Sequence, residues 1–189
     1  MILDDQITAP AWKNIPGWSA DILPFYELLA TKLPHGGVFV EVGVLFGRSL
    51  ACMGTLRPDL EIYAVDTWEN GERGEHQAYQ DQYGTTWDAF CGGMREHAPE
   101  VWQRVHVIRA RSTSVKVPLA DAVFIDADHE YTGVRDDIEW WRERCRAVGV
   151  ICGHDYGDHF PGVKRAVDEA FDGAHTMGPG AWTSVWVAP

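Results

Sequence analysis

The chain has 189 residues, enough for one domain with a full core, and its 46% hydrophobic and 23% charged residues are ordinary for a globular protein. A balance of 16 basic to 28 acidic residues gives a formal net charge of −12, a field that repels polyanions, so neither nucleic acid nor an anionic membrane is expected as a main partner. No apolar run reaches membrane-spanning length, MILDDQITAP is no basic-then-apolar leader, and Cys52, Cys91, Cys145 and Cys152 form no C-x-x-C pair, so a cytoplasmic protein with reduced thiols is expected.

In chain order, an N-terminal helical segment (residues 1–35) comes first, with a helix expected from about Pro24 to Leu33. GGVFVEVG predicts a strand over Val38–Val42, followed by a helix from about Arg48 to Leu56 that Arg57-Pro58 closes. EIYAVD predicts a second strand ending at Asp66. The stretch Thr67–Gln103 is too long for a plain crossover and reads as an insertion. Within it Tyr79, Tyr83, Trp87, Phe90 and Met94 recur at 4, 4, 3 and 4, an aromatic stripe on one helix, while ENGERGEH suggests a mobile lid.

VHVIRA and DAVFIDAD predict the third and fourth strands, the latter ending at Asp126. Tyr131, Val134, Ile138, Trp141 and Cys145, spaced 3, 4, 3 and 4, mark a helix whose other face is charged. AVGVICGHD predicts a fifth strand ending near His154, and a helix follows from Pro161 with Val163, Val167, Ala170 and Phe171. The tail HTMGPGAWTSVWV reads as strand, turn and strand at the sheet edge. Continuous apolar strands alternating with helices imply an α/β, doubly wound, mostly parallel sheet covered on both faces, here as one domain over 1–189. Ligands bind such sheets at the carboxyl ends of the strands, where Glu41, Asp66, Asp126, Asp128, His129, His154 and Asp155 gather.

The turn E-V-G-x-x-x-G, with Gly43 and Gly47, joins the first strand to its helix. Asp66, 23 positions beyond Gly43, suits a bidentate hydrogen bond to ribose hydroxyls, which points to a nucleoside. A carboxylate at Glu41, expected at the lip of the turn, opposes a pyrophosphate and favours a cationic group beside the ribose. S-adenosylmethionine has both that ribose and a sulfonium, and its carboxylate could use the backbone donors of the turn. Asp126, His154 and Asp155 end adjacent strands and could share a cation, and His129 is the candidate general base.

The residues EVGVLFGRSL, VDTW, FIDADHEYTGVRDDIEWW and GVICGHDY resemble class I S-adenosylmethionine-dependent methyltransferases, nearest to the small-molecule O-methyltransferases of the catechol and macrolide-sugar type. The resemblance runs from about Ala20 to Phe171 and implies a seven-stranded Rossmann-like methyltransferase fold with an antiparallel C-terminal edge strand. It implies that Glu41, Gly43, Gly47 and Ser49 hold the methionine end of the cofactor and that Asp66 holds the ribose. It puts Arg111 and Ser112 near the adenine, with Trp68 covering the cofactor and Asp126 facing it. In the catechol-type enzymes, acidic residues at the two strand ends bind a metal that holds vicinal hydroxyls, which implies Mg²⁺ or Mn²⁺ on Asp126, His154 and Asp155 and a catalytic part for Asp126 beside His129. His154 departs from that pattern, since an oxygen ligand is expected there; an imidazole favours Mn²⁺, Fe²⁺ or Zn²⁺.

The expected activity is methyl transfer to a hydroxyl of a small molecule, aromatic or sugar-bearing, with Trp12, Trp18 and the insertion shaping the acceptor pocket. Three other readings stay open on the residues alone. An NAD-type oxidoreductase would need a third glycine and a hydride-transfer pair, a metal-dependent hydrolase leaves Glu41 and Asp66 without a role, and a binding protein would hold the nucleoside without chemistry. A homo-oligomer would make its contacts through the N-terminal segment and the edge hairpin.

Overall fold

A computed structural model of the protein describes residues 10–17, 22–69, 77–178 and 184–188. Its first half runs α1 (Ile22–Ala30), β1 (Val38–Val42), α2 (Arg48–Leu56), β2 (Glu61–Asp66), α3 (Gln77–Tyr83), α4 (Thr86–His97), α5 (Pro99–Trp102) and β3 (Val105–Arg109). The second half runs β4 (Ala120–Ile125), α6 (Tyr131–Arg142), β5 (Cys145–Gly153), α7 (Pro161–Phe171), β6 (Thr176–Met177) and β7 (Trp186–Val187). The sheet has seven strands in the order β3-β2-β1-β4-β5-β7-β6. β1 to β5 are parallel, and β7 pairs antiparallel with both β5 and β6. The strand order reverses between β1 and β4, where a crevice opens at the carboxyl ends in sheets of this kind.

Parity along the strands decides which helix layer each side chain meets, because successive side chains point to opposite faces. Phe39 of β1, Ile62 and Ala64 of β2, and Ala122 and Phe124 of β4 join the core beneath α1, α2 and α4. Val38, Val40 and Val42, with Val123 and Ile125, join the opposite core under α6 and α7. Glu41 has the parity of Phe39 and so points toward α1 and α2. Phe39 and Phe124 are fully buried, which contributes about 2–3 kcal/mol for each such side chain.

Most elements lie where the apolar pattern puts them, and two stripes end sooner than their spacing suggests. Cys145 continues the spacing of Trp141, yet α6 stops at Arg142 and Cys145 opens β5, paired with Ala120. From Cys145 to Val150 β5 advances five residues while β4 advances two, a bulge that leaves Val148 exposed. The aromatic stripe of the insertion is likewise broken. Gly84 takes φ +114°, and Thr85 starts a new helix as one half of a capping box with Asp88. Trp12, expected at the acceptor pocket, is instead buried in the core. Trp18 and residues 70–76 of the expected lid lie outside the described residues.

α1 spans Ile22–Ala30 rather than Pro24–Leu33, and Arg57 fixes the end of it. Its guanidinium donates to the carbonyls of Ala30 (2.6 Å), Leu33 (2.9 Å) and Pro34 (2.8 Å), and forks onto Asp59 at 2.8 and 2.7 Å. The Ala30 carbonyl ends the helix without an intrahelical partner, and the same planar cation reaches on to the carbonyls of Leu33 and Pro34 beyond it. Arg57→Ala is expected to cost roughly 2–4 kcal/mol, given about 1.5–3 kcal/mol per hydrogen bond to a charged group. Thermal unfolding would then fall by about 4–16 °C. Arg57→Lys should recover only part of this, because an ammonium cannot span the same acceptors.

Candidate active site

β1 runs into the glycine turn with Gly43 at φ +82°, Leu45 at +51° and Gly47 at +88°. A Cβ on Gly43 would stand 2.0 Å from the carbonyl oxygen of Asp126, so the turn rests directly on the backbone leaving β4. At Gly47 a Cβ would meet the Met94 sulfur at 2.7 Å, which sets α4 against the same turn. Gly43 is therefore fixed by close approach to backbone as well as by positive φ, whereas Gly47 faces side chains that can shift and is held to glycine chiefly by its positive φ.

Glu41 is not at the lip of that turn, as its sequence position suggests, but beneath it, with 1% of its surface exposed. Tyr26 Oη donates to Oε2 at 2.9 Å and Ser49 Oγ donates to Oε1 at 2.7 Å. Burial pushes its carboxyl up to about 8, although the Ser49 and Tyr26 hydrogen bonds pull the other way. Such a group keeps its proton in the native state while the unfolded chain has lost it. Its stabilising contribution is full below its ordinary value of 4.5 and is lost as pH rises to about 8. Glu41→Gln is expected to flatten the fall in thermal stability between about pH 5 and pH 8 relative to the parent protein. A parallel pair of pH profiles would mean that Glu41 is ionised in the fold.

Asp66 closes β2 and organises the turn. Oδ2 accepts from the backbone N–H groups of Val44 (2.8 Å) and Leu45 (3.0 Å), and Oδ1 from that of Trp68 (2.7 Å). The anion held by these turn donors is thus the protein's own Asp66. A carboxylate oxygen accepts about two hydrogen bonds, so Oδ2 is satisfied and Oδ1 keeps room for a further donor, which reduces the expected bidentate contact to one oxygen. Trp68, at φ +49°, is buried against Phe90 with ring centres 4.6 Å apart and donates from Nε1 to the Leu45 carbonyl at 2.8 Å. Arg111 is exposed, and Ser112 Oγ donates to Asp137 Oδ1. Asp137 is buried on α6, and burial pushes its carboxyl up to about 6.

Past β4 and β5 the polar residues converge. His154 Nδ1 lies 3.0 Å from Asp155 Oδ1 and 3.8 Å from Asp126 Oδ1. Asp155 Oδ2 lies 2.7 Å from His129 Nε2, and the His129 ring stacks on Phe160 at 4.4 Å. Burial raises the Asp126 carboxyl, and the Asp155 charge beside it acts the same way. Burial would also raise Asp155, but hydrogen bonds from His129 and His154 outweigh it and hold its carboxyl well below the usual range. Asp155 sits at φ +61°, left-handed backbone that an aspartate adopts more readily than most residues. Asp128 lines the same cavity as Asp126, His129, His154 and Asp155, and its Oδ1 accepts from the Glu130 backbone at 2.8 Å in a local turn before α6.

One ligand atom each from Asp126, His154 and Asp155 lies within 4.8 Å of the others. Two carboxylates with one imidazole form a donor set that fits Mn²⁺ or Zn²⁺ better than Mg²⁺.

Three residues that the sequence did not single out hold this site together. Tyr26 reaches Glu41 from α1 and Ser184 reaches His154 from the segment before β7 (Oγ to Nε2, 2.9 Å), and neither has a local signal. Asp137 had one: it sits on the apolar stripe of α6 between Val134 and Trp141, where a carboxylate needs a buried partner.

A family model described as a methyltransferase domain matches residues 40–156. No curated protein matches the chain. Among solved structures, cofactor-bound Rv0187 from MTB is 18% identical over 94% of this chain and 84% of its own, with a TM-score of 0.64. CalS11, a TDP-rhamnose 3'-O-methyltransferase of calicheamicin biosynthesis, is 17% identical over 88% of this chain and 77% of its own, with a TM-score of 0.58. The O-methyltransferase NovP is 16% identical over 89% and 78%, with a TM-score of 0.63. At these identities the likeness is one of fold. Among the described residues no helix is long and apolar enough to cross a membrane.

Proposed function

The chain belongs to the class I S-adenosylmethionine-dependent methyltransferases, and on that premise we propose that it methylates a hydroxyl of a small molecule, aromatic or sugar-bearing, at the His129–Asp155 pair. The observation that carries this is the 2.7 Å contact between Asp155 Oδ2 and His129 Nε2, with the His129 side chain 37% exposed. A base held by a carboxylate keeps one tautomer and one orientation. With Asp155 accepting from Nε2–H, the basic nitrogen is Nδ1. There the acceptor hydroxyl leaves its proton as its oxygen takes the methyl group. The fold shared with CalS11 and NovP, named for O-methylation, supports a hydroxyl acceptor. Family membership removes the grounds for the hydride-transfer and hydrolase readings.

S-adenosylmethionine supplies the methyl group. Asp66 would meet its ribose through Oδ1, Arg111 and Ser112 would lie near the adenine, and Glu41 with Ser49 would support the methionine end from beneath the Gly43–Gly47 turn. Trp68 would act from the core, fixing the carbonyl side of Leu45. A divalent cation held by Asp126, His154 and Asp155 would lower the pKa of a bound hydroxyl. That cation and the base would be compatible, since Asp155 turns Oδ1 to His154 and Oδ2 to His129.

The test is calorimetry with S-adenosylhomocysteine, with and without Mn²⁺ or Mg²⁺ and with NADH as control, then mass detection of methylated products from catechols and sugar nucleotides. Nucleoside binding with hydroxyl methylation is expected, and His129→Ala should depress turnover across roughly pH 6 to 8, the range around the imidazole pKa. Unchanged turnover in that variant would remove the base assignment, and products carrying the methyl on nitrogen would remove the hydroxyl acceptor.

A further inference from the structure

His154 is the residue at which this chain departs from an all-oxygen metal site, and both of its ring nitrogens face protein groups. Nδ1 looks toward Asp155 Oδ1 (3.0 Å) and Asp126 Oδ1 (3.8 Å), while Nε2 meets Ser184 Oγ at 2.9 Å. The side chain is only 10% exposed, so a ring nitrogen deprived of its partner would have little water to replace it.

The position of Ser184 is itself enforced. Its carbonyl accepts from the Tyr156 backbone N–H at 2.9 Å, just past the site, and β7 pairs Trp186 with Gly153, the last residue of β5. The antiparallel edge of the sheet thereby delivers one hydroxyl to the far side of the His154 ring.

A hydroxyl both donates and accepts, and that property matters here. With no cation bound, an Nδ1–H donated to Asp155 leaves Nε2 as an acceptor, and Ser184 donates to it. A cation between Nδ1 and the two carboxylates requires Nδ1 to be bare, so the ring proton must reside on Nε2, and Ser184 must then accept. An alanine could do neither, and an aspartate could serve only the second state.

We infer that Ser184 is a positioning residue for a divalent cation: its hydroxyl orients His154 and accommodates the tautomer in which Nδ1 ligates the metal. The inference rests on the metal reading above and extends it to a residue outside the ligand set. It also gives the C-terminal strand pair a part in the site beyond covering the sheet.

The measurement is titration of Mn²⁺, read from the electron paramagnetic resonance signal of the free ion, on the parent protein, Ser184→Ala and Ser184→Thr, with S-adenosylhomocysteine affinity measured on each. Groups that orient a ligating histidine typically govern about 10–100-fold in metal affinity. Ser184→Ala is expected to lose that much, Ser184→Thr to retain most of it, and all three proteins to bind the nucleoside equally. Mn²⁺ affinity unchanged in Ser184→Ala would overturn the inference while leaving the metal site in place. Equal losses in Ser184→Ala and Ser184→Thr would assign the effect to packing and overturn it, as would a parallel loss of nucleoside affinity. No Mn²⁺ binding by the parent protein would remove both the metal reading and the role of Ser184.

Discussion

Asp155→Asn is expected to abolish divalent-cation binding and to lower methyl transfer by at least about 100-fold, the lower range for losing an acid–base group. One carboxylate serves two histidines here, through Oδ1 to His154 and through Oδ2 to His129. Asparagine can accept at one of those positions but presents N–H at the other, so one ring must turn or change tautomer. It also lacks the charge that would bind the cation. The substitution leaves the backbone at ease, because asparagine tolerates the φ of +61° that Asp155 adopts. S-adenosylhomocysteine affinity should therefore match that of the parent protein. The readouts are the free Mn²⁺ signal and product mass. A variant that binds Mn²⁺ and turns over like the parent would sink the shared role of this carboxylate.

Gly43→Ala should damage the fold itself. A methyl group there would enter the space of the Asp126 carbonyl, 2.0 Å from its oxygen and 2.4 Å from its carbon, and 2.6 Å from Ala127 Cα. All three are backbone atoms of the chain leaving β4, which cannot yield as a flexible side chain would. The φ of +82° adds strain of its own. A loss of about 4 kcal/mol or more is expected, a value reserved for core disruption of this kind. It would lower the melting temperature by roughly 8–16 °C. Gly36 supplies the control, since its φ is +68° but a Cβ would meet nothing within 4 Å. Gly36→Ala should cost only the backbone term, about 1–2 kcal/mol. Similar losses at both positions would mean that the glycine turn is not pressed against β4.

Strand and helix order was legible because each parallel strand is an uninterrupted apolar run and each covering helix repeats its apolar residues every three or four positions. Val38–Val42 and Arg48–Leu56 were readable to the residue for that reason. Structure and pattern part where the periodicity continues past the end of an element. Cys145 fits the α6 spacing yet pairs with Ala120, and nothing in the apolar pattern reveals that the helix has ended. The break before α4 did have a signal, Thr85 followed three residues later by Asp88, which the aromatic spacing obscured.

The clustering of Asp126, His129, His154 and Asp155 was legible because adjacent parallel strands end side by side. What their side chains would find there was not. Asp66 is engaged by the N–H groups of Val44, Leu45 and Trp68, and a turn's donors cannot be assigned before its path is known. Glu41 lies in the strand that its sequence predicts, but beneath the turn rather than at its lip. Its hydroxyl partners come from two different helices and could only be found in space.

The bond from Tyr26 to Glu41 has a consequence for where this molecule can be cut. α1 precedes the alternating core, but it supplies Tyr26 as one of the two hydroxyls on the buried carboxyl and packs that ring edge-on against Phe39 and Phe124 at 5.6 and 5.0 Å. A fragment starting at β1 would leave Glu41 with a wet, unpaired Oε2 and the two phenylalanines facing solvent. Proteolytic loss of α1 should then unsettle the strand and glycine turn above Glu41 while leaving Asp126, His129 and Asp155 uncut.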